Sequence, residues 1–143
     1  MKSFDSFKEE GKVKEKTPNP EQAKSLIEKA EKRLNYVKDR EITEENADLI
    51  LEDSYEAIRE AIDAFLTLDG YKSYNHEASI VYAYENLEID YNTANKLNKY
   101  RKLRNDSKYR GEDITKKEAT DTRNKSEELI PKLKKEFQQR NQK

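Results

Sequence analysis

Apolar residues recur at steps of three and four along most of this chain, and that spacing leaves few folds open to it. From Glu21 to Arg40, Ala23, Ile27, Ala30, Leu34 and Val37 fall on one face of a helix. From about Glu44 to Leu68, Ala47, Leu51, Tyr55, Ile58, Ile62 and Phe65 form a second stripe, thickened by Ile50, Ala61 and Leu66. Asn19 can cap the first helix with Pro20 at its first position, and Thr43 can cap the second, with Glu44 and Glu45 near its positive end. Only 33% of the residues are hydrophobic and 41% are charged, close to the range in which chains stay unfolded. The ordered spacing decides for folding. With three glycines and three prolines, hairpin-rich architectures are excluded, and the chain predicts an all-α, up-and-down bundle of four to five helices.

Asp69-Gly70 ends the second helix, and Asn75 can cap a third from His76 to about Asn86. That third helix is apolar nearly all round, through Ala78, Ile80, Val81, Tyr82, Ala83, Tyr84 and Leu87, and so is buried on several sides. A fourth is expected from about Thr93 to Tyr109, with Leu97, Tyr100, Leu103 and Ser107 toward the core. Gly111 stops it, and Thr115-Lys116-Lys117-Glu118 is a capping box for a fifth. The fifth helix has the seam Ala119, Thr122, Ser126, Leu129, Leu133 and Phe137, with Ile130 alongside, and Pro131 should kink or split it near Glu128. The bundle accordingly spans residues 20–137. Residues 1–19 form an arm or short helix that either lays Phe4 and Phe7 on the body or offers them to a partner, and residues 138–143 form a frayed tail.

No cysteine is present, so disulfide and thiol chemistry are excluded, and one histidine leaves too few soft ligands for a zinc site. Gly11, Gly70 and Gly111 are too far apart to make a phosphate-cradling loop. No metal or cofactor is expected. No apolar run is long enough to span a bilayer, and the first residues lack the apolar core of a signal peptide, so the expected location is the cytoplasm. A net charge of −1 argues against coating nucleic acid by bulk potential; any such binding must be local.

Charge is concentrated in two places. The second helix carries Glu44, Glu45, Asp48, Glu52, Asp53, Glu56, Glu60 and Asp63, opposed only by Arg59. Such a run is either a solvated face or the counterweight of a basic stretch, within the bundle or across a dimer. The basic stretch is Tyr100 to Gly111, where Arg101, Lys102, Arg104, Lys108 and Arg110 face the single acid Asp106. Helical spacing places Arg101, Arg104, Asn105 and Lys108 together on the arc bordering the buried face. Arginine offers a planar fork of donors to phosphate and lysine a point charge. Asn105 can orient a neighbour or a substrate, and Tyr109 can stack on a base. The alternative is a basic face that only answers the acids of the second helix. Of nine tyrosines, only Tyr36 and Tyr55 precede Tyr71, and the later cluster points to a half-buried seam, an interface or a stacking surface. His76, the only group that ordinarily titrates near neutral pH, reads as structural or catalytic according to what folding brings beside it.

Across about Glu21 to Leu133 the helix order, Ala30 to Leu34, Asn75-His76-Glu77-Ala78, and Arg101-Lys102-Leu103-Arg104-Asn105 followed by Tyr109 and Gly111 resemble the higher eukaryote and prokaryote nucleotide-binding (HEPN) domain, in its small stand-alone prokaryotic form. The resemblance implies a commonly homodimeric helical bundle. Many members are metal-independent endoribonucleases, often toxins paired with a small nucleotidyltransferase. The family motif is an arginine, a polar residue and, four to six residues on, a histidine that helps the RNA 2′-hydroxyl attack the adjacent phosphate. Its arginine and polar residue correspond to Arg104 and Asn105; where the histidine would stand are Lys108, Tyr109 and Arg110, types that do not titrate near neutrality. The resemblance therefore implies a nucleotide- or RNA-binding accessory protein without ribonuclease activity. Two alternatives stay open: a ribonuclease with a variant motif, and a structural module docking a nucleotidyltransferase or another helical partner through its tyrosines and the Phe4 and Phe7 arm.

Overall fold

The computed structural model describes residues 1–142 and shows an all-α bundle with one two-stranded ribbon. The helices are α1 (Phe4–Glu9), α2 (Pro20–Val37), α3 (Ala47–Asp69), α4 (His76–Asn86), α5 (Tyr91–Arg110) and α6 (Lys116–Asn141). The strands β1 (Val13–Glu15) and β2 (Tyr71–Ser73) pair antiparallel, Val13 opposite Ser73 and Glu15 opposite Tyr71.

The richest apolar stripe becomes the centre of the fold. Helix α3 is buried at Leu51, Ala57, Ile58, Ala61, Ile62, Ala64, Phe65 and Leu66, and it packs against α2, α4, α5, α6 and β2. The seam of α6 meets it through Phe65 and Phe137, whose rings stand edge to face at 5.6 Å. Helix α4 is buried continuously from Ala78 to Ala83, as a helix with almost no polar face must be. A second, smaller apolar cluster joins Val37, Ala47, Ile50, Leu51, Ile114 and Ala119, and Leu103 touches both clusters.

Caps fix the element ends. Asn19, Asn75 and Thr115 accept hydrogen bonds from the amides of Gln22, Ala78 and Glu118, and Glu118 answers the Thr115 amide to complete the capping box. Two starts differ from expectation. Thr43 and Asn46 cap one another reciprocally, Thr43 N to Asn46 Oδ1 at 2.8 Å and Asn46 N to Thr43 Oγ1 at 3.2 Å, so Glu44 and Glu45 lie in that turn and regular helix begins at Ala47. Helix α5 begins at Tyr91 because Asp90 caps it through the Thr93 amide.

The arm is part of the body. Phe4 and Phe7 are buried, Phe4 standing 5.3 Å edge-on to both Tyr71 and Tyr82, and each buried ring contributes about 2 kcal/mol. Being internal, these rings do not serve as a partner-binding surface. The ribbon that follows α1 adds main-chain bonds, and Lys16 N donates to Gly70 O at 2.8 Å. Gly70 is in the left-handed conformation, φ 87°, and a Cβ there would lie 2.7 Å from the Lys16 carbonyl. Only glycine both ends α3 and lets the arm approach this closely.

Pro131 does not split α6, which is unbroken to Asn141. Pro131 and Glu127 are both exposed, so the missing N–H falls on the outer side of the helix rather than in the core. Of the residues expected to fray, those to Asn141 continue α6, and the Arg140 guanidinium donates to the Asn86 carbonyl at 2.6 Å. Lys143, the last residue of that expected tail, lies outside the described residues. Among the described residues no helix is long and apolar enough to cross a membrane.

Candidate phosphate-binding site

Helix α5 places its basic residues against α3, with a different residue deepest from the one the spacing indicates. Leu97 and Tyr100 are buried, but in the next turn Arg104 is buried to 6% exposure while Leu103 and Ser107 are only half covered. The reason stands opposite on α3. Glu56, itself buried, brings Oε1 to 3.1 Å from Arg104 Nη2, an ion-pair distance without hydrogen-bond alignment. Its other oxygen, Oε2, accepts from Arg59 Nε at 3.1 Å and Nη2 at 2.7 Å, and Arg59 Nη1 reaches Asp63 at 3.4 Å. One carboxylate thus separates two guanidinium groups.

The other predicted residues gather along the same edge. Asn105 orients Arg104, accepting from Nη1 at 3.1 Å, which is one of the two roles its position allows. Tyr109 is exposed, with Arg104 Cζ 5.7 Å and Lys108 Nζ 5.8 Å from its ring centre. Lys108 lies 3.6 Å from Glu52, and Arg101 donates from Nε to the Asn98 amide oxygen at 2.9 Å. Arg101, Arg104, Asn105, Lys108 and Tyr109 therefore lie along one strip of α5, in which Arg104 and Lys108 face acids of α3.

That arrangement corrects the reading of the acidic face as simply solvated. Glu56 and Glu60 are buried, Glu60 pairing with Arg33 of α2 together with Asp53, while Glu52 and Glu56 answer α5 within the chain. Burial opposes charge on Glu56, but Arg59 and Arg104 outweigh it and hold the carboxyl below its usual range.

Sequence spacing missed Glu56 and Arg59 as members of this site. The available signal was Arg59 itself, a lone cation three residues after Glu56 and four before Asp63, where helical neighbours meet. Folding also brings His76 beside the cluster, its ring centre 6.2 Å from that of Tyr55. Burial first, then the charges of Arg59, Arg104 and Arg101, push its pKa down to about 4 against the opposing pull of Glu56. The imidazole is neutral at pH 7 and can accept a proton or a hydrogen bond.

A partly open cavity of about 150 Å³ lies elsewhere, between α2, α3 and the ribbon, lined by Lys16, Thr17, Asp63, Thr67, Tyr71 and Lys72 among others. Burial raises the Asp63 carboxyl to about 6 despite Arg59 and Lys72. Among the described residues no group of three or more acids and histidines is placed to hold a metal ion. No family model, curated protein or solved structure matches the chain.

Proposed function

We propose that this chain is a HEPN-like module that binds the phosphates of nucleotides or RNA along α5, acting as a homodimeric accessory protein beside a small nucleotidyltransferase in a toxin-antitoxin-like pair, without ribonuclease activity of its own. The observation that carries the binding role is the strip itself. Arg104 is seated at the α3 border with its Nε unpartnered, steadied by Asn105, and flanked by Arg101, Lys108 and the exposed ring of Tyr109. Guanidinium and ammonium donors beside an accessible aromatic face fit a phosphate next to an unstacked base.

One observation favours a second reading, metal-independent ribonuclease. His76 is neutral and within the field of Arg104 and Arg101, where a proton acceptor for a ribose hydroxyl would be useful. One experiment addresses both. Purified protein is titrated into labelled single-stranded RNA in a metal chelator, and binding and chain length are read together. Binding that falls in Lys108→Ala and Arg104→Ala, with the RNA left intact, is the expected result; unchanged binding in both folded variants would remove the assignment of the strip. Cleavage that disappears in both Arg104→Ala and His76→Ala would replace the accessory role with the ribonuclease.

A further inference from the structure

The cations assigned to phosphate are not vacant. Arg104 faces Glu56 at 3.1 Å and Lys108 faces Glu52 at 3.6 Å, and the two acids lie one helical turn apart on α3. Arg104 has little other room: Asn105 takes Nη1, and the Tyr109 ring stands beside the guanidinium. A phosphate that engages both Arg104 and Lys108 competes with the two carboxylates that now face them, while Arg101, held only by Asn98 among the described residues, is open to it without exchange.

The two pairs are also the least well bonded part of the network. Arg59 grips Glu56 Oε2 with two aligned donors, whereas Oε1 meets Arg104 without alignment and the Arg104 Nε has no partner. At 3.6 Å the Lys108–Glu52 pair is beyond hydrogen-bond distance, and both side chains are partly exposed. Glu56 would keep Arg59 after giving up Arg104, so release leaves no orphaned charge on α3. Lys108 and Glu52 form the outer, easily opened pair, and Arg104 and Glu56 the inner one.

We infer that Glu52 and Glu56 are internal competitors for the α5 phosphate site, so that a phosphodiester chain binds by exchange with them and their carboxylates set its affinity. The inference rests on the phosphate-binding reading of α5. It gives the acidic face of α3 a regulatory role in addition to holding the bundle together.

The test compares the intact protein with Glu52→Gln, Glu56→Gln and, as a control of equal charge change, Glu21→Gln, an exposed acid on α2. Each is titrated against one end-labelled single-stranded oligoribonucleotide, with Arg101→Ala and Lys108→Ala as reporters of the site. Removing the outer competitor is expected to tighten binding about three-fold and removing the inner one about ten-fold, with Glu21→Gln unchanged. Binding seen only in the two glutamine variants and not in the parent also supports exchange. If the parent binds and the two alanine variants weaken it, but neither glutamine at 52 nor at 56 tightens it, exchange is overturned while the phosphate site stands. If none of the proteins binds, both are overturned. Thermal melting accompanies each titration; should Glu56→Gln fail to fold, the partly exposed Glu52→Gln decides alone.

Discussion

Replacing Arg104 by methionine should cost the fold about 2 kcal/mol. Breaking a buried pair typically costs about 3–5 kcal/mol because the remaining charge is left uncompensated. Here the remaining charge keeps a partner, since Arg59 still donates twice to Glu56 Oε2, and methionine retains most of the apolar packing of a side chain only 6% exposed. Both features bring the figure below that range. Glu56→Gln leaves the buried Arg104 guanidinium without an acid and should cost more, about 3 kcal/mol, and the double variant should fall short of the sum by about 1 kcal/mol, the coupling of two groups in direct contact. Urea unfolding at neutral pH measures all four proteins, with an unchanged m-value as the condition for comparing midpoints. The coupling should persist in about 1 M salt, because buried pairs are poorly screened; the Lys108–Glu52 pair, with 43% and 34% of the two side chains exposed, should lose its coupling there. A coupling for Arg104 and Glu56 below about 0.3 kcal/mol, or one that salt abolishes, would mean that Arg104 is a solvated surface arginine and that the geometry of the site is wrong.

Two titrating groups should pull the pH dependence of stability in opposite directions. His76, lowered from 6.5 to about 4, contributes stability that is complete above pH 6.5 and lost as pH falls toward 4, about 1–2 kcal/mol after allowance for its half-exposed ring. Asp63, raised from 3.8 to about 6, contributes stability that is complete below pH 3.8 and lost as pH rises through 6. Asp63→Asn should therefore steepen the loss of stability between pH 6.5 and 4 and His76→Gln should reverse it, and equal slopes in denaturant midpoints would refute both assignments. Gly70 and Gly111 share a left-handed backbone, but only Gly70 has a carbonyl 2.7 Å from where a Cβ would stand. Gly111→Ala should cost about 1 kcal/mol and Gly70→Ala at least about 2 kcal/mol more, read as denaturant midpoints; equal losses would show that the arm does not press on the end of α3.

Helix spacing made the scaffold legible because each stripe answers a local rule. Ala23 to Val37 and Ala119 to Phe137 are buried on the faces their spacing assigns, and Asn19, Asn75 and Thr115 cap where their side chains allow. The ribbon was not legible, since three-residue strands are too short to show alternation, and Val13 beside two charged residues carries no signal without its partner at Ser73. The site was legible in membership but not in depth. A helical wheel gives the arc of Arg101, Arg104, Asn105 and Lys108, yet the inward direction is fixed by what faces the arc, and an acid at Glu56 makes a buried arginine more favourable there than Leu103.

The same limit explains the charge pattern. The acids between Glu44 and Asp63 and a basic run on α5 read separately as two surfaces, and a net charge of −1 reads as balance. Folding converts part of that balance into specific pairs, Glu56 with Arg104 and Glu52 with Lys108, joined by chain segments far apart in sequence. Local neutralisation of this kind makes the isolated strip a poor guide to binding strength. Arg104 and Lys108 supply donors suited to phosphate, while the acids that let Arg104 be buried also oppose any ligand that would use it. The proper measure of the site is therefore the change in ligand affinity when Glu52 or Glu56 loses its charge, because that change separates the donors' capacity from the work of freeing them.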